Sequence, residues 1–130
     1  MKLILVKSVA SIALLGILAS ASADSSYREV WTCKLNEGKT MDDVRAANSK
    51  WLKFINANVE GGGITSHIIT SIVGNATPGN FGYVDSFPTL ESWAAAKSAT
   101  EGNKEGEAID EELGEVADCS DNRLYEAEES

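Results

Sequence analysis

The sequence predicts an α+β fold with the element order β-α-β-β-α-(α)-β, and three observations carry that prediction. A run of β-formers at 27–35 precedes a long amphipathic helix. A glycine break then leads into two more β-rich runs, and Pro88-Thr89 opens a second helical stretch.

The chain begins with Lys2 and Lys7, an apolar run over 8–18, and the small-residue pattern Ala21-Ser22-Ala23. A charged start, a short apolar core and small residues at the exit are the signature of a secretory signal peptide. The run is short for a membrane span, and the polar DSSYRE after it is no stop-transfer flank. Cleavage is expected between Ala23 and Asp24, giving a signal peptide at 1–23 and one exported domain at 24–130, periplasmic or secreted, with no membrane insertion afterwards.

Residues 27–35, YREVWTCKL, read as the first strand, and NEGK after them as a turn. Thr40 with Asp43 three residues on forms a capping-box pattern, and Asp42 and Asp43 suit the positive end of a helix. Met41, Val44, Trp51, Leu52 and Ile55 share one face of a helical wheel, so a helix is expected over 41–57. Three successive glycines, Gly61, Gly62 and Gly63, end it. The second strand is expected at 64–73, ITSHIITSIV, with apolar residues on both faces, which calls for a sheet covered on both sides. The third, FGYVDSF at 81–87, forms a hairpin with it. Helices through LESWAAAKSA and over 107–117 follow, the latter with Ile109, Leu113 and Val116 inward, and a last strand is expected at 122–128.

Loss of Lys2 and Lys7 with the signal takes the formal charge from −9 to −11. This acidic protein is therefore a poor partner for nucleic acid or an anionic membrane. The charge is concentrated: the segment 101–130 holds twelve acidic residues against Lys104 and Arg123. The acidic run 101–121 reads as a solvated face, and it lacks the residue order of a calcium loop. No metal motif, phosphate-binding glycine loop or serine triad is present, so no cofactor is expected. Asn75-Ala76-Thr77 matches a glycosylation sequon.

Only two cysteines occur, Cys33 and Cys119. In an oxidising compartment an even pair of thiols becomes a disulfide by default. A nucleophile would need an electropositive setting, whereas Cys119 lies among carboxylates, and a metal site would need closer spacing.

Few residues could carry chemistry. His67 is the single histidine; a hairpin that set it opposite Asp85 would pair a base with an orienting carboxylate. Asn48 falls between Val44 and Leu52 inside the apolar face of the first helix, and a buried amide must be hydrogen-bonded or line a polar pocket. Trp31, Trp51 and Trp93 read as core residues able to stack a ligand at a sheet-to-helix cleft.

The element order resembles the ferredoxin-like plait and, more narrowly, the dimeric α+β barrel superfamily, which includes cofactor-free antibiotic-biosynthesis monooxygenases and stress-responsive barrel proteins. The resemblance spans 27–128 and rests on LNEGKTMDDV and GYVDSFPTLESWAAA. It implies a four-stranded antiparallel sheet with helices on one face and the first and last strands side by side. That placement brings Cys33 near Cys119, and an unbroken ladder from that pair would set Tyr27 by Tyr125 and Glu29 by Arg123. It also implies a cleft in which Arg28, Asn48, Trp51 and His67 would bind a ligand; with Trp31 added as an aromatic of that cleft and Asp85 as the hairpin partner of His67, the candidate catalytic groups are His67, Asn48 and Asp85. Two readings follow. The first is a non-enzymatic ligand-binding or interaction domain, a homodimer holding a small apolar ligand. The alternative is a cofactor-independent monooxygenase or isomerase acting on a small aromatic or polyketide-like compound.

Overall fold

The computed structural model describes residues 26–130; the expected signal peptide and its cleavage point lie outside the described residues. The elements run β1 (Ser26–Leu35), α1 (Met41–Asn58), β2 (Thr65–Ile69), β3 (Asn80–Phe87), α2 (Leu90–Ala99), α3 (Lys104–Val116) and β4 (Ala117–Ala127). The strands form one sheet of order β2-β3-β1-β4, antiparallel at every pairing. The expected α+β plait is thus the observed fold.

Local chemistry explains each helix start. Thr40 and Asp43 satisfy each other's backbone N–H groups at the head of α1, and Thr89 and Ser92 do the same at α2. Asn103 accepts from the N–H groups of Glu105 and Gly106, which starts α3 three residues before the expected Glu107. Gly106 packs so tightly that an added Cβ would lie 2.7 Å from the Thr100 Cα. At the other end of α1, the Asn56 amide bonds both the N–H and the C=O of Ile64, tying the helix to the entry of β2.

Two strands differ from expectation. β2 stops at Ile69 and does not continue to Val73, because the ladder with β3 ends at Ile69–Gly82 and the following residues turn back on local bonds such as Ser71 Oγ to the Val73 carbonyl. Ile72 and Val73 are left 92 % and 90 % exposed. β4 begins at Ala117 and not at Asn122, passing straight from α3 into pairing with Leu35, Lys34 and Cys33. Cys33 and Cys119 face each other in that ladder and are disulfide-bonded. Between Thr32 and Cys33 the register shifts, Ser120 being the extra residue, so Tyr27 pairs with Glu126 and Glu29 with Leu124. The expected neighbours Tyr125 and Arg123 are displaced by one position by that bulge.

On β1, Tyr27, Glu29, Trp31, Cys33 and Leu35 face the helices, while Arg28, Val30, Thr32 and Lys34 face away. The helix side holds two core clusters. One gathers Cys33, Val44, Ala47, Phe81, Tyr83, Val116 and Ala117; the other gathers Phe54, Ile55, Val59, Ile64, Phe87, Ala96 and Ile109. Leu113 packs against both.

Candidate functional site

A cleft of about 470 Å³ opens where the two clusters fail to merge, with Tyr83 and Ala117 of one and Phe87 and Ala96 of the other in its walls. Its volume is that of a small-molecule pocket. Two grooves of similar volume lie on the helices, but exposed Lys and Glu side chains line much of them, and only the first combines aromatic walls with buried polar groups.

β1 contributes Trp31, α1 contributes Asn48 and Trp51, and β3 contributes Tyr83, Asp85 and Phe87. Asp85 is 6 % exposed. Ser66 reaches it from β2 and donates to Oδ1 at 2.6 Å, while the Asn48 amide donates to Ser66 Oγ at 2.9 Å. The single Ser66 hydrogen goes to the carboxylate, so the chain runs one way, from amide to hydroxyl to carboxylate. Burial pushes the Asp85 carboxyl up to about 6; the Ser66 hydrogen bond pulls it down, Glu29 pushes it further up and Lys97 opposes that. Burial, with the Asp85 charge beside it, pushes the Tyr83 phenol up to about 12. Its hydroxyl is buried and without a hydrogen-bond partner among the described residues.

A second polar group braces the cleft wall. Glu29 is 1 % exposed and accepts from the Trp93 indole N–H, from Lys97 Nζ and, at 3.4 Å, from Asn122. Lys97 in turn lies 4.6 Å from the centre of the Trp31 ring. One buried carboxylate thereby fixes a lysine, and the lysine covers a tryptophan.

The structure brings Trp31, Asn48, Trp51 and Asp85 together at the cleft and leaves two expected residues out of it. His67 pairs with Val84, not with Asp85, because β2 sits one residue from the expected register; Ser66 takes the position opposite Asp85. A shift of one residue turns a side chain to the other face, so His67 is exposed on the far side of the sheet. Arg28 is also exposed there, since it alternates with the helix-facing Tyr27 and Glu29. Ser66 and Glu29 were not anticipated. Glu29 could have been found from its phase, as it shares a strand face with Trp31 and Cys33. Nothing in the evenly apolar β2 run marks Ser66. Among the described residues there is no cluster of three or more His, Cys, Asp or Glu able to hold a metal, and no helix is long and apolar enough to cross a membrane.

No protein-family model matches the sequence, and no curated protein matches it. Solved structures do resemble it. A NIPSNAP family protein of unknown function from Agrobacterium tumefaciens superposes with a TM-score of 0.59 at 10 % identity, covering 82 % of this chain and 92 % of its own. SnoaB, a cofactor-independent oxygenase from Streptomyces nogalater, gives 0.58 at 7 % identity, with 82 % and 96 % covered. A conserved protein of unknown function from Bacteroides thetaiotaomicron gives 0.53 at 15 % identity, with 81 % and 100 % covered. At such identities the likeness is one of fold, and the fold is the ferredoxin-like α+β plait anticipated from the element order.

Proposed function

We propose that the protein binds a small, largely apolar molecule in the cleft between helices and sheet. The observation that carries this reading is a buried carboxylate, Asp85, set among Trp51, Tyr83 and Phe87 in a cavity of ligand size. Ser66 meets only Oδ1, so this buried carboxylate keeps acceptor capacity for a ligand in the aromatic enclosure. The disulfide supports export to an oxidising compartment, as does the signal-peptide pattern expected at 1–23. The sheet face away from the helices carries Val30, Val84 and Ile69, the last 46 % exposed, which supports a homodimer across that face.

A second reading, a cofactor-independent oxygenase or isomerase, is favoured by Asp85 itself. A carboxyl that titrates near 6 is ionised at neutral pH and basic enough to take a proton from a ligand C–H or O–H group. An isomerase would return that proton to another atom of the same ligand and needs no co-reactant. The fold shared with SnoaB is compatible with such chemistry.

Native mass spectrometry of protein purified from its own source tests the reading. The expected species is a dimer of chains beginning at Asp24, each with its disulfide and one bound small molecule. The expected effect of Trp51→Ala is loss of that molecule. A wild-type protein that is folded, monomeric and empty would overturn both the cleft and the dimer.

A further inference from the structure

The charged groups around the cleft, besides Asp85 on β3, come from four of its elements, and two of them, Glu29 and Lys97, act on Asp85. They are Glu29 on β1, Lys97 on α2, Asp110 on α3 and Asp118 on β4; β3 adds the uncharged Tyr83 phenol, and α1 and β2 offer the uncharged Asn48 and Ser66. Lys97 is the one cation among the lining residues, and its charge is already answered by the buried Glu29. Asp85 within the cleft, and Asp110 and Asp118 exposed on its walls, keep a net negative charge. Ser66 is the only side chain among the described residues that donates to Asp85, and it uses Oδ1.

An anionic ligand would meet this charge in a site partly shielded from water, where repulsion is screened least. A cation gains twice. It meets the carboxylate, and it also lies against the negative faces of aromatic rings, as Lys97 already does on Trp31. The whole chain, strongly acidic, draws cations towards it.

We propose that the ligand of this cleft is an organic cation, a protonated amine or quaternary ammonium on an apolar body, with its charge against Asp85 and its body between Trp51, Tyr83 and Phe87. This rests on the cleft being a binding site and adds the charge of what it binds. Calorimetric titration with three compounds of matched shape tests it: tryptamine, the neutral propylindole and the anionic indolepropionate. Tryptamine is expected to bind at least about tenfold more tightly than propylindole, which is the effect of one well-placed charge. Indolepropionate is expected to bind most weakly. Asp85→Asn should remove the preference, so that tryptamine and propylindole bind the variant about equally. In wild-type protein the same loss should appear as the pH falls from about 7.5 to about 5, because protonation of Asp85 removes the counter-charge; that arm stands even if the variant fails to fold. Propylindole or indolepropionate binding as tightly as tryptamine would overturn the cation and leave the cleft in place. A preference for tryptamine that survives both Asp85→Asn and low pH would overturn Asp85 as its partner. No binding of any of the three at millimolar concentration would overturn the proposal and the cleft reading together.

Discussion

The two edges of the sheet are held in opposite ways. On one side β4 pairs with β1 along its whole length and is bonded to it through Cys33–Cys119, with a bulge at Ser120 absorbed in the ladder. On the other side β2 pairs with β3 at only five positions, and a loop with exposed Ile72 and Val73 joins them. Yet the lightly held edge supplies Ser66, which orients Asp85, while the stapled edge supplies structure. The staple and the hydrogen bond that orients Asp85 are thus placed on opposite edges, although β4 also lends the cleft Asp118 and braces Glu29 through Asn122.

The largest effect is expected at the stapled edge. Cys33→Ser with Cys119→Ser opens a loop whose ends are 86 positions apart, and on the chain-entropy argument the loss is roughly 4 kcal/mol. β4 also carries Asp118, Asp121 and Glu126, which favour its detachment. Hydrogen exchange should show the β4 amides losing protection before those of β3. Uniform loss across the sheet would mean that the bond stabilises the whole fold and not this edge.

Next comes the charge on Asp85. The unfolded carboxyl titrates at its ordinary value of 3.8 and the folded one at about 6, so the folded state holds the proton more tightly. Protonated Asp85 therefore contributes stability below about pH 4, and that contribution is lost as the pH rises through 6. A shift of about two units corresponds to at most about 3 kcal/mol. Asp85→Asn cannot ionise, so its stability relative to wild type should rise between about pH 4 and pH 6 and then level off. Denaturant unfolding at four pH values measures this, and a constant difference would show that the cleft does not raise the Asp85 pKa.

What could be read from the sequence follows the same division. The Cys33–Cys119 pair was legible because the expected export and the topology implied by the family resemblance independently called for it. The register beyond it was not, since Ser120, Asp121 and Asn122 are polar in either phase and nothing in CSDN marks a bulge. Asn48 stood out as a polar residue within an apolar helix face, and it lines the cleft. β2 gave no such contrast. ITSHIITSIV is β-branched on both faces, so either Ser66 or His67 could have faced Asp85, and only tertiary packing decides between them.

Gly82 is one of the residues that decide it. An alanine Cβ there would lie 2.6 Å from the Trp31 carbonyl oxygen and 3.1 Å from Ile69 Cγ1. The close approach of β1 and the seating of Ile69 over β3 both depend on a missing side chain. Gly82→Ala is expected to destabilise by about 2 kcal/mol, in the range of other overpacked sites. Its first effect should be faster amide exchange in β2. Unchanged exchange there would mean that Ile69 does not hold the register.

The smallest effects separate Ser66 from its neighbour. Ser66→Ala removes the hydrogen bond that lowers the Asp85 pKa and the acceptor of the Asn48 amide. The stability loss should be about 1 to 2 kcal/mol, as for a buried polar group left unpaired. The midpoint of the Asp85 titration should also move upward from about 6. His67→Ala is expected to change stability by less than about 0.5 kcal/mol, because His67 is exposed and faces away from the cleft. Carboxyl resonances followed by NMR across the titration would distinguish the two variants. If His67→Ala moved the Asp85 midpoint and Ser66→Ala did not, β2 would have to pair one residue further along, with every one of its side chains exchanged between the faces.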